Sequence, residues 1–147
     1  MELQIELAVP AEYFFTELIQ SAIYDIQCSV GRNISATRLK NFAYRKVLPN
    51  GQHAHYVITD CTPNRCYAYR LRVGRVERRV SYQLEALGAA QMRLAYGEEV
   101  NAGSRWLADN IPIAGWLRRH NLTKMVREIE AAYCDCGTPR VQRSSSV

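Results

Sequence analysis

Hydrophobic residues occupy every second position from residue 3 to residue 9, and polar or small residues lie between them. A period of two predicts a strand with one buried face. Pro10 ends this strand and suits the first turn of a helix. Apolar residues then recur at helical spacing at Phe14, Phe15, Leu18, Ile19, Ala22, Ile23 and Ile26. The pattern predicts one strand and then a helix of about four turns that ends near Gly31. A further helical turn is predicted over residues 35–39, with Ser35 as its cap.

From residue 41 onward the hydrophobic period returns to two. Asn50-Gly51 separates two alternating segments, and this dipeptide is a strong hairpin signal. Further turn signals lie at residues 62–64, at Gly74 and at residues 88–90, and they separate strands near residues 66–73, 76–86 and 91–99. Together with the first strand, the pattern predicts an antiparallel sheet of about six strands.

A second helical segment is predicted from Pro112 to Tyr133. Its second half carries one clear apolar stripe, formed by Leu122, Met125, Val126, Ile129 and Tyr133. Trp116 and its apolar neighbours in the first half lie on a different face, which indicates either a kink near Asn121 or a change of burial partner. Residues 134–147 show no periodicity and predict a flexible polar tail. We therefore expect one domain over residues 1–133.

The order of strand, helix, several antiparallel strands and helix predicts an α+β fold. A sheet with one apolar face must be covered by the helices, and a long helix at the end of the chain is well placed to do so. We expect a helix-grip arrangement, in which a curved antiparallel sheet of about six strands wraps around a long C-terminal helix.

Several segments of the chain together resemble a known family. They are residues 10–15 (Pro-Ala-Glu-Tyr-Phe-Phe), residues 23–26 (Ile-Tyr-Asp-Ile), the Phe42-x-Tyr44 strand and residues 125–133 (Met-Val-Arg-Glu-Ile-Glu-Ala-Ala-Tyr). They are similar to a small uncharacterised bacterial family, a domain of unknown function, in the START-like (SRPBCC, helix-grip) superfamily of lipid carriers, polyketide cyclases and pollen-allergen-like proteins. The resemblance implies a hydrophobic ligand held between the sheet and the long helix. It implies no catalytic residues, and the chain lacks the glycine-rich hairpin of the plant members, because it has only Gly51 in that turn.

Length, composition and the first residues of the chain indicate the cellular compartment of the protein. The chain has 147 residues, enough for one ordinary domain, and its acidic, alternating start does not fit a secretory signal. Five cysteines, an odd number without regular spacing, fit a reducing compartment better than a disulfide scaffold. The apolar stretches are too short or too interrupted to span a bilayer. We expect a cytoplasmic protein without membrane insertion.

Positive charge is in modest excess, with a formal net charge of +5. Arginines are concentrated in the predicted sheet, but no exposed face shows the interleaved arginine and base-stacking aromatics of a single-strand binder. We therefore expect no nucleic-acid partner. The sequence also lacks a phosphate loop, a dinucleotide fingerprint and a nucleophile elbow, so no cofactor is expected.

Tyrosines dominate the aromatic residues, and six of them occupy alternating positions of predicted strands: Tyr44, Tyr56, Tyr67, Tyr69, Tyr82 and Tyr96. Tyr67 and Tyr69 should share one face with Leu71 and Val73. If that face is the buried one, phenol hydroxyls project into an apolar interior, which suits an amphipathic ligand. These tyrosines, together with Glu98 and Trp116, are the predicted ligand-binding residues. Ordinary core tyrosines with their hydroxyls satisfied locally are the alternative.

Other residues that carry reactive groups give weaker signals. Glu98 and Glu99 are adjacent on one strand and must face opposite sides, so they cannot form a paired-carboxylate site. His53 and His55 share a strand face but lack a third ligand, and the cysteine spacing departs from that of zinc sites. We predict no metal site.

The most favoured function is non-catalytic binding of a small hydrophobic or amphipathic molecule. A cyclase-like or hydrolase-like enzyme acting on a hydrophobic substrate is the alternative, and it requires an inward titratable group, for which Glu98 or Arg78 is the best candidate. A protein-interaction domain is the third reading. It predicts a filled interior and an exposed apolar patch around Trp106, Ile111 and Trp116.

Overall fold

The computed structural model describes the backbone of residues 2–101 and 112–137 and the side chains of residues 2–101 and 122–134. Six strands and two helices make up this part of the chain. In order they are β1 (Glu2–Leu7), α1 (Ala11–Val30), a short 3-10 turn (Ala36–Arg38), β2 (Ala43–Val47), β3 (His53–Thr62), β4 (Cys66–Val73), β5 (Val76–Gly88), β6 (Gln91–Asn101) and α2 (Pro112–Gly137).

The strands form one antiparallel sheet in the order β1-β6-β5-β4-β3-β2. The predicted six-stranded sheet is confirmed. Gly51 has a φ of 84° in the turn between β2 and β3, so it supplies the left-handed conformation that the tight turn needs. Gly31 ends α1 in the same way, with a φ of 70° and its N–H donating to the Gln27 carbonyl at 2.9 Å.

One face of the sheet, which we call the helix-covered face, packs against α1. The apolar residues of α1 recur at intervals of three and four, so they lie on one side of the helix and form a buried stripe with few charges. Phe14 and Ile26 are fully buried there against sheet residues that include Met92 and Leu94. Tyr24, on the opposite side of the helix, is exposed.

The second half of α2 packs beside α1 and the end of β1. Leu122 and Val126 are buried, as the predicted stripe requires. The rings of Tyr13 and Tyr133 meet edge to face at 5.0 Å, and the Ala8 N–H donates to Glu130 Oε2 at 3.0 Å. Helical backbone continues to Gly137, because residues 134–136 contain no helix breaker. The domain limit at residue 133 and the tail beyond it stay predictions.

Two questions posed by the sequence concern residues beyond this description. The face occupied by Trp116 and the suggested kink near Asn121 depend on side chains of residues 112–121, which lie outside the described side chains. The suggested apolar patch of Trp106, Ile111 and Trp116 also lies outside the described side chains. Among the described helices, none is long and apolar enough to cross a membrane.

Ser35 is the N-cap residue of the 3-10 turn, as predicted, although its Oγ forms no capping bond to a backbone N–H. It lies 3.1 Å from Thr37 Oγ1 instead. The two hydroxyls satisfy each other because a single turn leaves them adjacent on the surface.

A bulge at Thr59 changes the alternation of β3. The register shifts between Ile58 and Asp60, so Ile58 pairs with Tyr69 while Cys61 pairs with Tyr67. Directly paired residues share a face, which places both Ile58 and Cys61 on the helix-covered face. The extra residue therefore keeps both ends of the long strand β3 packed against the interior.

Candidate ligand-binding site

Strand register brings the predicted tyrosines onto the helix-covered face. Since cross-strand partners in an antiparallel sheet lie side by side on one face, three rows can be read across the strands. They are Tyr44–Tyr56–Leu71–Arg78–Val100, Ile58–Tyr69–Val80–Glu98 and Cys61–Tyr67–Tyr82–Tyr96–Leu3. The expectation that Tyr67, Tyr69 and Leu71 share a face is confirmed.

The six tyrosines form one continuous series of ring contacts, which we call the tyrosine ladder. Tyr44 and Tyr56 stack at 4.9 Å, and Tyr82 and Tyr96 meet edge to face at 5.2 Å. Between these pairs the series runs from Tyr56 to Tyr69, Tyr67 and Tyr82, with centroids 5.9, 6.0 and 6.2 Å apart. Such offset and edge contacts are favourable for aromatic rings. The ladder therefore builds a largely aromatic wall across five strands.

A cavity of about 260 Å³ lies between this wall and the two helices. Five ladder tyrosines line it, namely Tyr44, Tyr56, Tyr67, Tyr69 and Tyr82. The apolar remainder of the lining comes from Leu18 and Ala22 of α1, Ile58 of β3 and Met125 of α2. Tyr96 and Glu98 lie next to this cavity on the same face but do not line it. The side chain of Trp116 is outside the described residues.

One edge of the cavity carries a charged cluster that the sequence did not single out. Asp25 of α1 accepts a hydrogen bond from the Tyr44 hydroxyl at 2.6 Å and from Lys46 Nζ at 2.7 Å. Both charged side chains are about one third exposed, at 30% for Asp25 and 35% for Lys46, so this edge faces solvent. The available signal was an aspartate within the otherwise apolar stripe of α1.

Burial keeps the ladder hydroxyls protonated. It raises the pKa of Tyr67 and of Tyr82 far above the ordinary value of a phenol. Burial also raises the pKa of Tyr44 and Tyr96, and hydrogen bonds to Asp25 and Glu98 raise it further. Each hydroxyl is therefore a hydrogen-bond donor at physiological pH, and none supplies a phenolate nucleophile.

Three of these donors have no acceptor among the described side chains and backbone groups. The hydroxyls of Tyr56, Tyr67 and Tyr82 form no hydrogen bond with other groups in residues 2–101 or 122–134. None of these three hydroxyl oxygens is fully buried without a hydrogen-bond partner. Within the described side chains, the one nitrogen or oxygen atom in that state is Arg78 Nε. The three hydroxyls therefore open onto the cavity, where a ligand or water can accept their hydrogen bonds.

Glu98 is the buried carboxylic residue next to the ladder. It is 5% exposed, and the Tyr96 hydroxyl donates to its Oε2 at 2.7 Å. Glu99 is exposed, as expected for its neighbour on the strand. The two carboxyl groups therefore face opposite sides of the sheet, which agrees with the exclusion of a paired-carboxylate site.

Removing two different ladder hydroxyls should have different effects on stability. Tyr96→Phe leaves the buried Glu98 without one hydrogen bond and should lower the free energy of unfolding by about 1–3 kcal/mol. Tyr82→Phe removes a hydroxyl that has no protein partner and should change stability by less than about 0.5 kcal/mol. Urea unfolding of both variants checks this difference. Equal losses would mean that the Tyr82 hydroxyl is as fully bonded as that of Tyr96.

The remaining candidates are distributed away from this cavity. His53 and His55 are exposed on the outer face of the sheet. Within the described residues, no three His, Cys, Asp or Glu side chains lie together as metal ligands would. Burial and the negative charge of Asp60 raise the pKa of the Cys66 thiol to about 11, and the same causes raise that of Cys61. These two cysteines are therefore protonated, weakly reactive thiols.

A larger depression, of about 670 Å³, lies on the outer face of the sheet. Its floor is a row of small residues, Ala68, Ser81 and Gly97, that pair across β4, β5 and β6. A Cβ atom added at Gly97 would stand 2.9 Å from Ser81 Oγ. Charged side chains border this depression, whereas aromatic and apolar side chains line the inner cavity. Of these two depressions in the described part of the chain, the inner cavity has the lining typical of small-molecule sites.

Comparison with known proteins agrees with this architecture. A family model described as "Domain of unknown function (DUF3284)" matches residues 1–107. No curated protein matches the chain.

Solved structures with a similar fold include a START superfamily protein from Mycobacterium smegmatis, with a TM-score of 0.59, 12% identity and coverage of 90% of this chain and 97% of the other. A protein from Deinococcus radiodurans has a TM-score of 0.53 and 17% identity over 90% of this chain and 98% of the other. DynU16, from the dynemicin biosynthetic locus, has a TM-score of 0.56 and 14% identity over 95% of this chain and 48% of its own. The chain thus spans about half of DynU16. At these identities the likeness shows the fold alone, and it confirms the predicted START-like, helix-grip class.

Proposed function

We propose that this chain, which belongs to the DUF3284 family of domains of unknown function, is a non-catalytic binding protein for a small amphipathic molecule. The observation that carries the proposal is the cavity of about 260 Å³, whose wall holds three phenol hydroxyls without a partner in residues 2–101 and 122–134. Apolar side chains from both helices face these donors. A molecule with an apolar body and a few acceptor oxygens would satisfy both kinds of wall at once.

Cavity size limits the ligand. Pockets for drug-sized molecules usually occupy roughly 300–1,000 Å³, and this cavity is slightly smaller, at about 260 Å³. It has the volume of about nine water molecules at roughly 30 Å³ each. A one-ring or two-ring aromatic molecule fits this space, whereas a sterol with four fused rings and a side chain does not.

A cyclase-like or hydrolase-like enzyme is the second candidate, and one observation favours it. Glu98 is buried, bonded to Tyr96 and located on the cavity's face of the sheet. A buried carboxyl group can serve as a general acid or base. This alternative is distinguished by Glu98→Gln, which would abolish turnover of a hydrophobic substrate without weakening its binding. The protein-interaction reading depends on Trp106, Ile111 and Trp116, outside the described side chains. The cytoplasmic location and the absence of a nucleic-acid partner stay predictions.

A size comparison tests the proposed function. We expect 2-naphthol, a neutral two-ring alcohol, to bind at one saturable site with a dissociation constant of about 0.1–1 mM, given typical affinities per ligand atom. Cholesterol presented as a soluble complex should not compete. Calorimetric titration gives the stoichiometry, and competition by saturation-transfer NMR gives the size limit. Absence of saturable 2-naphthol binding would contradict the proposal.

A further inference from the structure

Arg78 is the arginine that faces the interior. It lies on β5 two residues before Val80, and it pairs across the sheet with Leu71 and Val100 on the helix-covered face. The cavity-lining Tyr56 and Tyr69 are on neighbouring positions of β3 and β4. Diagonal neighbours on a sheet face are about 7–8 Å apart, within reach of a long side chain. Arg78 itself does not line the cavity, but it is hydrogen-bonded to Tyr69, which does, so its guanidinium lies next to the cavity wall.

The charge of Arg78 lacks a counter-ion in the described part of the chain. Its Nε is fully buried and has no hydrogen-bond partner. Three arginines on the outer face have carboxylate partners. Arg70 and Arg79 share the Glu77 carboxylate, and Arg93 pairs with Glu85. Glu98 lies diagonally across β5 and β6 from Arg78 on the same face, but no ion pair joins the two side chains. A partly buried guanidinium is costly when an ion pair does not offset its desolvation. Such a cost is expected where an anion is bound from outside.

The positive charge of Arg78 acts on tyrosines that line the cavity. Burial raises the pKa of Tyr56, Tyr69 and Tyr82, and the positive charge of Arg78 opposes that rise at all three. The charge of Arg78 therefore acts on the same groups that line the cavity. The negative charge of Glu98 raises the pKa of Tyr69 and Tyr82, but at both tyrosines its effect is smaller than that of Arg78.

The edge of the cavity at Asp25 disfavours a negatively charged group. Asp25 contacts Tyr44 on β2, three strands away from Arg78 on β5, or about 14 Å at the usual strand spacing. The Asp25 carboxylate repels an anion, while its partner Lys46 is already paired. A ligand with one negative group is therefore oriented with that group towards Arg78 and its apolar body along the ladder.

We propose that Arg78 binds the head group of the cavity's ligand, and that this ligand is a small aromatic or aliphatic carboxylic acid. The planar guanidinium matches a carboxylate in bidentate geometry, and the hydroxyls of Tyr69 and Tyr82 donate to the same oxygens. This inference rests on the proposed function, since it assigns a chemical class to the molecule in that cavity.

A matched ligand pair tests the assignment. 2-Naphthoic acid and 2-naphthamide have nearly the same shape and differ in charge at neutral pH. We expect the unaltered protein to bind the acid at least about 10-fold more tightly than the amide, because hydrogen bonds to charged groups are the stronger ones. Arg78→Met should reduce this preference to about twofold or less, because the acid loses its charge-assisted hydrogen bonds while the amide loses only neutral-acceptor ones. Arg79→Met, an equal charge change at an exposed neighbour, should leave the preference intact. Calorimetric titration at moderate salt measures both constants.

Each outcome has one meaning. Equal binding of acid and amide by the unaltered protein overturns the carboxylate assignment but leaves the binding function standing. A preference that persists in Arg78→Met overturns the role of Arg78. Failure of both compounds and of 2-naphthol overturns the proposed function together with this inference. If Arg78→Met does not fold, the acid and amide constants of the unaltered protein, with Arg78→Lys as the milder variant, still decide.

Discussion

Alkaline solution is expected to unfold this protein cooperatively, starting near pH 10. Unfolded tyrosines ionise with a pKa of about 10, whereas burial raises the pKa of Tyr67, Tyr69 and Tyr82 in the folded chain. A folded-state pKa above the unfolded value means that the stabilisation is complete below the unfolded pKa and is lost as pH rises. The pair of Lys46 with Asp25 acts in the same direction, because it raises the pKa of Lys46.

The expected loss is large. Each tyrosine that stays protonated only in the folded chain lowers the unfolding free energy by about 1.4 kcal/mol per pH unit. Tyr67, Tyr69 and Tyr82 together give about 4 kcal/mol per unit, against a typical domain stability of about 5–15 kcal/mol. The partly exposed Tyr44 and Tyr56 contribute less because solvent screens them. Unfolding should be complete within a few pH units.

Circular dichroism and tyrosinate absorbance, recorded in one titration, measure this effect. We expect the ladder phenols to ionise in the same transition as the loss of circular dichroism, since they become accessible only when the chain unfolds. Tyr67→Phe with Tyr82→Phe should reduce the pH dependence by about 3 kcal/mol per unit. Three tyrosines, Tyr13, Tyr24 and Tyr133, lie outside the ladder. Ionisation of more than three tyrosines with unchanged circular dichroism would show that the ladder is open to solvent, contrary to its burial.

Filling the cavity from α1 should abolish binding without harming the fold. Ala22 is 9% exposed and lines the cavity. Ala22→Leu places three more carbons in that space, which should exclude 2-naphthol and weaken its binding beyond detection. Each newly buried methylene contributes about 0.8 kcal/mol, so the variant should be as stable as the original or more stable.

Ala54→Leu is the matched control. Ala54 is fully buried on β3 but does not line the cavity, so the same enlargement should overpack the core and cost about 1–3 kcal/mol. Binding of 2-naphthol should be retained. Thermal unfolding and calorimetric titration of both variants give the two readouts. Destabilisation by Ala22→Leu of the size seen for Ala54→Leu would show that no space exists beside Ala22.

The sheet and the shared face of the tyrosines were predictable from local patterns. Alternation fixes the side of the sheet on which a residue lies, and turn residues such as Gly51 fix where strands end. Tyr67 and Tyr69 therefore had to point the same way once the strand was recognised. The inward position of Arg78 follows from the same rule.

Other parts of the site depend on contacts between distant segments. Asp25 meets Tyr44 and Lys46 only because α1 packs beside β2, and nothing in the helix alone names those partners. The bulge at Thr59 is a single added residue, and without the partner strand its position cannot be read from alternation. The burial of Arg78 Nε without a partner is likewise a property of the assembled structure.

Methyl NMR offers the most direct measurement of the central claim, that a small amphipathic molecule binds between the tyrosine ladder and the helices. The methyl groups of Ala22 and Met125 lie on the cavity wall, and Met92 is fully buried elsewhere in the core. During titration with 2-naphthol, the account predicts saturable shift changes at Ala22 and Met125 with one common dissociation constant, and none at Met92. Unchanged signals at Ala22 and Met125, at concentrations where 2-naphthol is bound, would contradict it.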